Sequence, residues 1–271
     1  MRSVILAAVH NGEFPNAPAS TVARELEAEG TVQEIIEVSD QPESTDMPDA
    51  QALMRWRREQ RQLEARWRDY LGKSSVLRNG LAYFAEGLFA LRLSIGRSFV
   101  VRQWRSRQIE EFVTAKHIES WRQFLASRHD LLIVVESDAV VPDNGLNGVR
   151  NALVELPTRP GAYLNLAGGL DHSNLGIENL IVERFPGFVS FETPVTNTSC
   201  AYALNRELAT GLCAFLEAES ESRALGIDWL FNAFFLRQAA AQPSIVCFHS
   251  EPPALLHGSI EGLTQSWHPD R

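Results

Sequence analysis

The stretch Asp130-Leu131-Leu132-Ile133-Val134-Val135-Glu136-Ser137-Asp138 decides the fold class of this chain. Leu131 to Val135 are five apolar residues in succession, most of them β-branched, a choice that suits a pleated backbone. A run that is apolar on both faces predicts a central strand covered from both sides, as in a parallel sheet. The run ends on Glu136-Ser137-Asp138. In open α/β sheets ligands bind outside the carboxyl ends of the strands, so the acidic pair marks the expected site. Two carboxylates one residue apart leave an extended backbone on the same side. They can share a hard divalent cation, which in turn neutralises a diphosphate. Acidic residues also serve as simple turn residues after a strand, and nearby Asp143 fits that plainer role.

Outward from this strand, helical and extended patterns alternate. Ser3 to Val9 reads as a buried first strand rather than a leader, Ser20 to Gly30 as a helix, and Val32 to Val38 as a second strand. Gln51 to Tyr70, Leu81 to Val101 and Ile109 to His129 read as helices. Beyond the central strand, helices are expected at 147–156, 206–218 and 228–238, with strands at 162–167, 199–204 and 245–248. Loops and short strands fill 171–194, and the tail from Pro252 is irregular. This order predicts one α/β domain over residues 1–271, with a mostly parallel sheet flanked by helices.

Composition narrows the function classes. Of 271 residues, 45% are hydrophobic and 22% charged, ordinary globular values that set aside disorder and coiled coil. The net charge of −9 disfavours a nucleic-acid binder. Cys200, Cys213 and Cys247 form no C-x-x-C pair, which disfavours a disulfide scaffold or a structural zinc site and suits a reducing, cytoplasmic setting. No window supplies the roughly 18 uncharged apolar residues of a membrane span. Charge is uneven: residues 51–110 hold 13 basic and 5 acidic side chains, net +8, against 12 and 29, net −17, elsewhere. A basic helical insertion at about 51–108 therefore sits in an acidic body. Its arginines, with Trp56 and Trp67, could meet an anionic membrane surface or a phosphorylated acceptor, or could simply pair with the body's carboxylates. Nucleophile-elbow, phosphate-loop, zinc-protease and dinucleotide-binding motifs are absent.

Four further pieces occur in order: Lys116-His117-Ile118-Glu119-Ser120-Trp121, the strand ending Glu136-Ser137-Asp138, Thr198-Ser199-Cys200-Ala201-Tyr202-Ala203-Leu204-Asn205-Arg206, and Gly226-Ile227-Asp228-Trp229. Over roughly residues 110–235 the chain thus resembles the family 25 glycosyltransferases, the lipooligosaccharide and procollagen sugar transferases. Lys116 stands where that family has Ser, and Ser137 where it has a middle Asp. The resemblance implies a GT-A-like fold and metal-assisted, inverting transfer from a nucleotide-sugar donor to a saccharide or glycolipid acceptor. Bacterial lipopolysaccharide or capsule assembly is the implied setting, at the inner face of the cell membrane.

The resemblance also implies roles. Asp138 is the metal ligand, for Mn2+ or Mg2+. Glu136 meets the donor ribose or metal-bound water. Asp228 is the general base, although Asp also suits the N-terminal cap of the helix starting at Trp229. His257 is the late metal ligand, with His249 and His268 as competitors, since imidazole suits manganese. Val9, His10 and Asn11 follow the first strand, where the nucleobase would sit. His117 faces the site or is a satisfied, half-buried histidine. Gly168-Gly169 before Asp171-His172 could let backbone approach a sugar, or is a turn. Two alternatives to a transferase remain: a non-catalytic scaffold that binds membrane or a partner through 51–108, and a metal-dependent nucleotide-sugar hydrolase.

Overall fold

The structure is a computed structural model that describes residues 3–10, 18–39, 50–70, 85, 87–94, 96–142, 145–156, 161–167, 178–191, 196, 198–219, 225–241 and 246–263. Its helices are α1 (Pro18–Ala28), α2 (Ala50–Tyr70), α3 (Arg97–Ala126), α4 (Gly145–Glu155), α5 (Arg206–Ala218) and α6 (Ile227–Ala241), with 87–94 also helical. The strands are β1 (Val4–Val9), β2 (Glu34–Val38), β3 (Leu131–Glu136), β4 (Ala139–Val140), β5 (Ala162–Asn165), β6 (Ile181–Phe185), β7 (Phe188–Phe191), β8 (Ala201–Asn205), β9 (Val246–Ser250) and β10 (Leu256–His257).

Eight strands form one sheet in the order β2-β1-β3-β8-β5-β9-β7-β6, and β4 pairs with β10 in a small ribbon. β1 runs parallel to both β2 and β3, and β5 runs parallel to β9. β8 lies antiparallel between β3 and β5, and the β6–β7 hairpin adds antiparallel pairs at the far edge. The α/β expectation holds, but the sheet is mixed where strand–helix alternation predicts a mostly parallel one. The β6–β7 hairpin reverses the chain direction, and β8 runs the same way as β7, opposite to its sheet neighbours β3 and β5.

Alternation divides the sheet into two cores. Val4, Leu6 and Ala8 of β1 and Leu131, Ile133 and Val135 of β3 pack beneath α1 and α4. Ile5, Ala7 and Val9, with Leu132 and Val134, face α3, α5 and α6. Every β3 residue is buried, so each of its large side chains contributes about 1.5–3 kcal/mol. The second face also carries Tyr163 and Tyr202, and the site is built above them.

The expected helix over Leu81 to Val101 is interrupted at Gly96. The Gly96 amide closes the preceding helix onto the Arg92 carbonyl at 3.0 Å, and a β-carbon at Gly96 would lie 3.1 Å from that oxygen. The expected Ile109–His129 helix is the second half of the 30-residue α3. The basic residues Arg97, Arg102, Arg105 and Arg107 therefore lie on the same helix as His117. The Arg206 guanidinium donates to the carbonyls of Phe124, Leu125, Ser127 and His129, which satisfies the carboxyl end of α3 and ties it to α5. No helix among the described residues is long and apolar enough to cross a membrane.

Candidate active site

Because β1, β3, β5 and β9 all point one way, their carboxyl ends share one edge of the sheet. His10, Glu136, Asn165 and His249 gather there, with the residues leading into β8. The Glu136 amide donates to the Cys200 carbonyl at 2.7 Å, which brings that lead-in against the end of β3.

Asp138 and His257 meet at this edge. β10 pairs with β4 so that His257 lies opposite Ala139, and the Gly258 amide donates to the Asp138 carbonyl at 2.9 Å. Nδ1 of His257 sits 3.2 Å from Oδ2 of Asp138 and 3.0 Å from the Ser259 hydroxyl. Asp138 is 4% exposed, yet Oδ2 has no aligned hydrogen-bond donor. A buried carboxylate oxygen whose close partner is one unaligned imidazole nitrogen is poorly compensated for its desolvation, which a cation would relieve. Asp138, Cys200 and His257 each offer one donor atom within 4.8 Å of the others. The residues present therefore fit a divalent cation.

Glu136 is not in that donor group. The chain turns at Ser137-Asp138, so the extended geometry that would place both carboxylates on one cation ends at Glu136. Its Oε1 instead takes hydrogen bonds from Nε2 of His117 at 3.1 Å and from the Ser199 hydroxyl at 3.2 Å. Nδ1 of His117 lies 2.9 Å from the Tyr202 hydroxyl, which also accepts from the Trp121 indole at 2.8 Å. The indole only donates, so the single Tyr202 proton is available to Nδ1 of His117. The Glu136 carboxylate only accepts, so Nε2 of His117 carries the proton aimed at it. Burial alone pushes the Glu136 carboxyl up. The His117 and Ser199 hydrogen bonds and the nearby His257 imidazole outweigh burial and hold the carboxyl below its usual value. His117 is thus a satisfied histidine, fully rather than half buried, and it reaches the sheet edge only through Glu136.

At the end of β1, the Val9 side chain lies in the core, so only its backbone is left to face a ligand. The His10 imidazole pairs with Glu37 of β2, on the side away from β3. Asn11 lies outside the described residues, as do His268 and Gly168 to His172. Lys116 is buried and donates to the His10 carbonyl. Burial lowers its amine, and Glu136 partly opposes that shift. His249 lies in the sheet beside Asn165, 3.5 Å from the Cys247 sulfur and edge-on to Phe191. His257 is the histidine at Asp138.

Asp228 sits in the first turn of α6, one turn before Asn232 on the same helix face. Asn232 clamps Thr196, accepting from its amide at 3.2 Å and donating to its carbonyl at 2.8 Å. Thr196 in turn contacts Tyr163 and Asn165 at the sheet edge. Burial is the main cause that raises the Cys200 thiol, and the Asp138, Glu136 and Asp228 carboxylates add to it.

The basic segment borders this region. Trp67 of α2 packs edge-on against Trp229, the neighbour of Asp228, with ring centres 6.3 Å apart. Trp56 and Leu63 are buried, while Arg55 and Arg58 line a cleft of about 430 Å3 with Met54, Ala90 and Leu93. Leu88 and Leu91 stand exposed beside it. Arg68 and Arg107 pair with Glu64 and Glu111 in their own helices rather than with the acidic body.

Sequence reasoning overlooked Cys200 and Ser199 as site residues and gave Lys116 no role. All three lie inside the quoted motif pieces, next to residues that were singled out. No protein-family model matches this sequence, and a comparison with curated proteins finds no match.

Proposed function

We propose that this chain is a glycosyltransferase that moves a sugar from a nucleotide-sugar donor to a saccharide or glycolipid acceptor, with a divalent cation and inversion at the anomeric carbon. The observation that carries this reading is the approach of His257 to Asp138 at the carboxyl edge of β3, beside the parallel β2-β1-β3 unit. A cation held there supplies charge stabilisation for the departing nucleoside diphosphate. Asp138 and His257 hold it. Glu136, kept ionised and oriented by His117 and Ser199, accepts hydrogen bonds from donor hydroxyl groups. Lys116, buried beneath the end of β1, adds positive charge near the donor. Asp228 takes the proton of the acceptor hydroxyl as that oxygen attacks. The cleft lined by Arg55 and Arg58 of α2 suits an anionic, partly apolar acceptor or a membrane surface.

The test is a thermal-shift panel of UDP, GDP, CMP and their sugars, each with and without Mn2+. A ligand that binds only the folded state raises the melting temperature. Metal-dependent stabilisation by one nucleotide class, lost in Asp138→Ala, is the expected result. Silence across the panel by a folded protein overturns the reading in favour of a scaffold. Donor cleavage with no transfer in the presence of saccharide and glycolipid acceptors overturns it in favour of a hydrolase.

A further inference from the structure

Cys200 is the one member of the converging donor group to which the proposed reaction gives no role. It is 1% exposed, and its sulfur lies 3.4 Å from Oδ1 of Asp138. Its backbone is fixed from both sides. The carbonyl accepts from the Glu136 amide, and the Cys200 amide donates to the Thr198 hydroxyl at 3.3 Å. The sulfur is therefore held at Asp138 by the end of β3 and the start of β8, not by its own weak hydrogen bond. On the other side of the carboxylate, Oδ2 is buried without an aligned donor, with the His257 ring beside it. Three donors of different chemistry thus face one point from three separate parts of the chain.

We propose that Cys200 is a metal ligand, as a thiolate, and that Asp138, Cys200 and His257 form a site for Zn2+ in preference to Mg2+ or Mn2+. This rests on the preceding reading for Asp138 and His257, and departs from the manganese that the family resemblance implies. Thiolate and imidazole favour borderline-soft d-block cations, whereas magnesium and manganese favour oxygen. Three protein ligands leave the fourth tetrahedral position open, as catalytic zinc sites do, and a donor phosphate oxygen can occupy it. On binding, the S–H bond breaks, the metal–sulfur bond forms and the proton leaves to solvent, with no change of oxidation state.

The test is titration of the whole chain with Co2+, followed by absorption spectroscopy. The expected result is a sulfur-to-cobalt charge-transfer band in the near ultraviolet together with visible ligand-field bands. Zn2+ should abolish both, and excess Mg2+ should not. Cys200→Ser should lose the charge-transfer band and bind Zn2+ more weakly by at least the roughly 10–100-fold that even an outer-shell partner is worth. X-ray absorption of the zinc-loaded wild-type chain, which needs no variant to fold, should show a sulfur neighbour at roughly 2.3 Å. Cobalt bands without charge transfer, or a zinc shell of oxygen and nitrogen alone, overturn the role of Cys200 and leave Asp138 and His257 as ligands. A charge-transfer band that persists in folded Cys200→Ser overturns it too, by assigning the sulfur elsewhere. Failure to bind any of these cations overturns this proposal, and nucleotide-sugar stabilisation without metal then still separates it from failure of the transferase reading.

Discussion

Oδ2 of Asp138 and Nδ1 of His257 lie 3.2 Å apart because β10 pairs with β4 immediately after the turn that ends the central strand. A residue distant in sequence thereby meets Asp138 just beyond the end of β3. The ribbon is only two residues deep on each side, so the contact depends on local pairing as much as on the core.

Removing either partner should abolish tight metal binding. Asp138→Asn and His257→Ala are expected to weaken the affinity for a divalent cation by more than the roughly 10–100-fold lost with an outer-shell partner. Calorimetric titration of each variant with Zn2+ and Mn2+ checks this. Unchanged affinity in both variants would place the cation elsewhere.

Asp228→Asn separates base chemistry from donor binding. Loss of a general base should cost about 10²–10⁴-fold in turnover while nucleotide-sugar stabilisation survives. α6 begins at Ile227, so Asp228 is inside its first turn rather than its cap. Asn keeps the shape but not the negative charge favoured there, so a fall in melting temperature of the same variant would instead assign Asp228 to the helix terminus.

Tyr202→Phe keeps the ring stack on His117 but deletes the hydroxyl that joins Trp121 to His117. A buried indole N–H and a buried ring nitrogen then lose their partner, at about 1–3 kcal/mol each. Urea unfolding reads that loss. Donor affinity should fall as well, since the His117 ring loses the hydroxyl that holds Nδ1 while Nε2 faces Glu136.

Tyr163 and Tyr202 should resist ionisation. Burial is the main cause that raises both phenols well above 10, and their hydrogen bonds only partly oppose it. The folded state therefore keeps these protons at a pH where the unfolded chain, with phenols near 10, releases them. Stability from this source is complete below about pH 10 and declines as the pH rises further. Phenolate absorbance followed with pH should show these two groups ionising together with unfolding, rather than as free tyrosines.

Arg206→Ala should destabilise the fold by about 2–4 kcal/mol, because hydrogen bonds to a charged donor are worth about 1.5–3 kcal/mol each and are not additive. The carbonyls of Leu125, Ser127 and His129 at and just after the end of α3 would lose the guanidinium, while Phe124 keeps the Ser127 amide and hydroxyl. Chemical denaturation checks the size, and Arg206→Lys should recover only part of it, since an ammonium cannot reproduce the planar fork.

The sequence by itself determined the α/β class, the buried strand Leu131 to Glu136 and the acidic edge, because a continuous β-branched run has few other ways to be buried. It also set many of the surrounding strands and helices to within a few residues, since apolar periodicity is a local property, but not the start of α3, which lies twelve residues before the expected Ile109, nor strand β10 in the tail. Tertiary structure alone decided the rest. Pairing direction is set by how a chain returns to the sheet, so the reversed entry of β8 between β3 and β5 left no local trace. The choice of His257 over His249 came from the β4–β10 ribbon, and the separation of Glu136 from Asp138 came from the turn after β3. The convergence of Cys200 on Asp138 came from one backbone hydrogen bond between β3 and the lead-in to β8. Each brings together residues distant in sequence or turns neighbours apart, and periodicity carries no information about either.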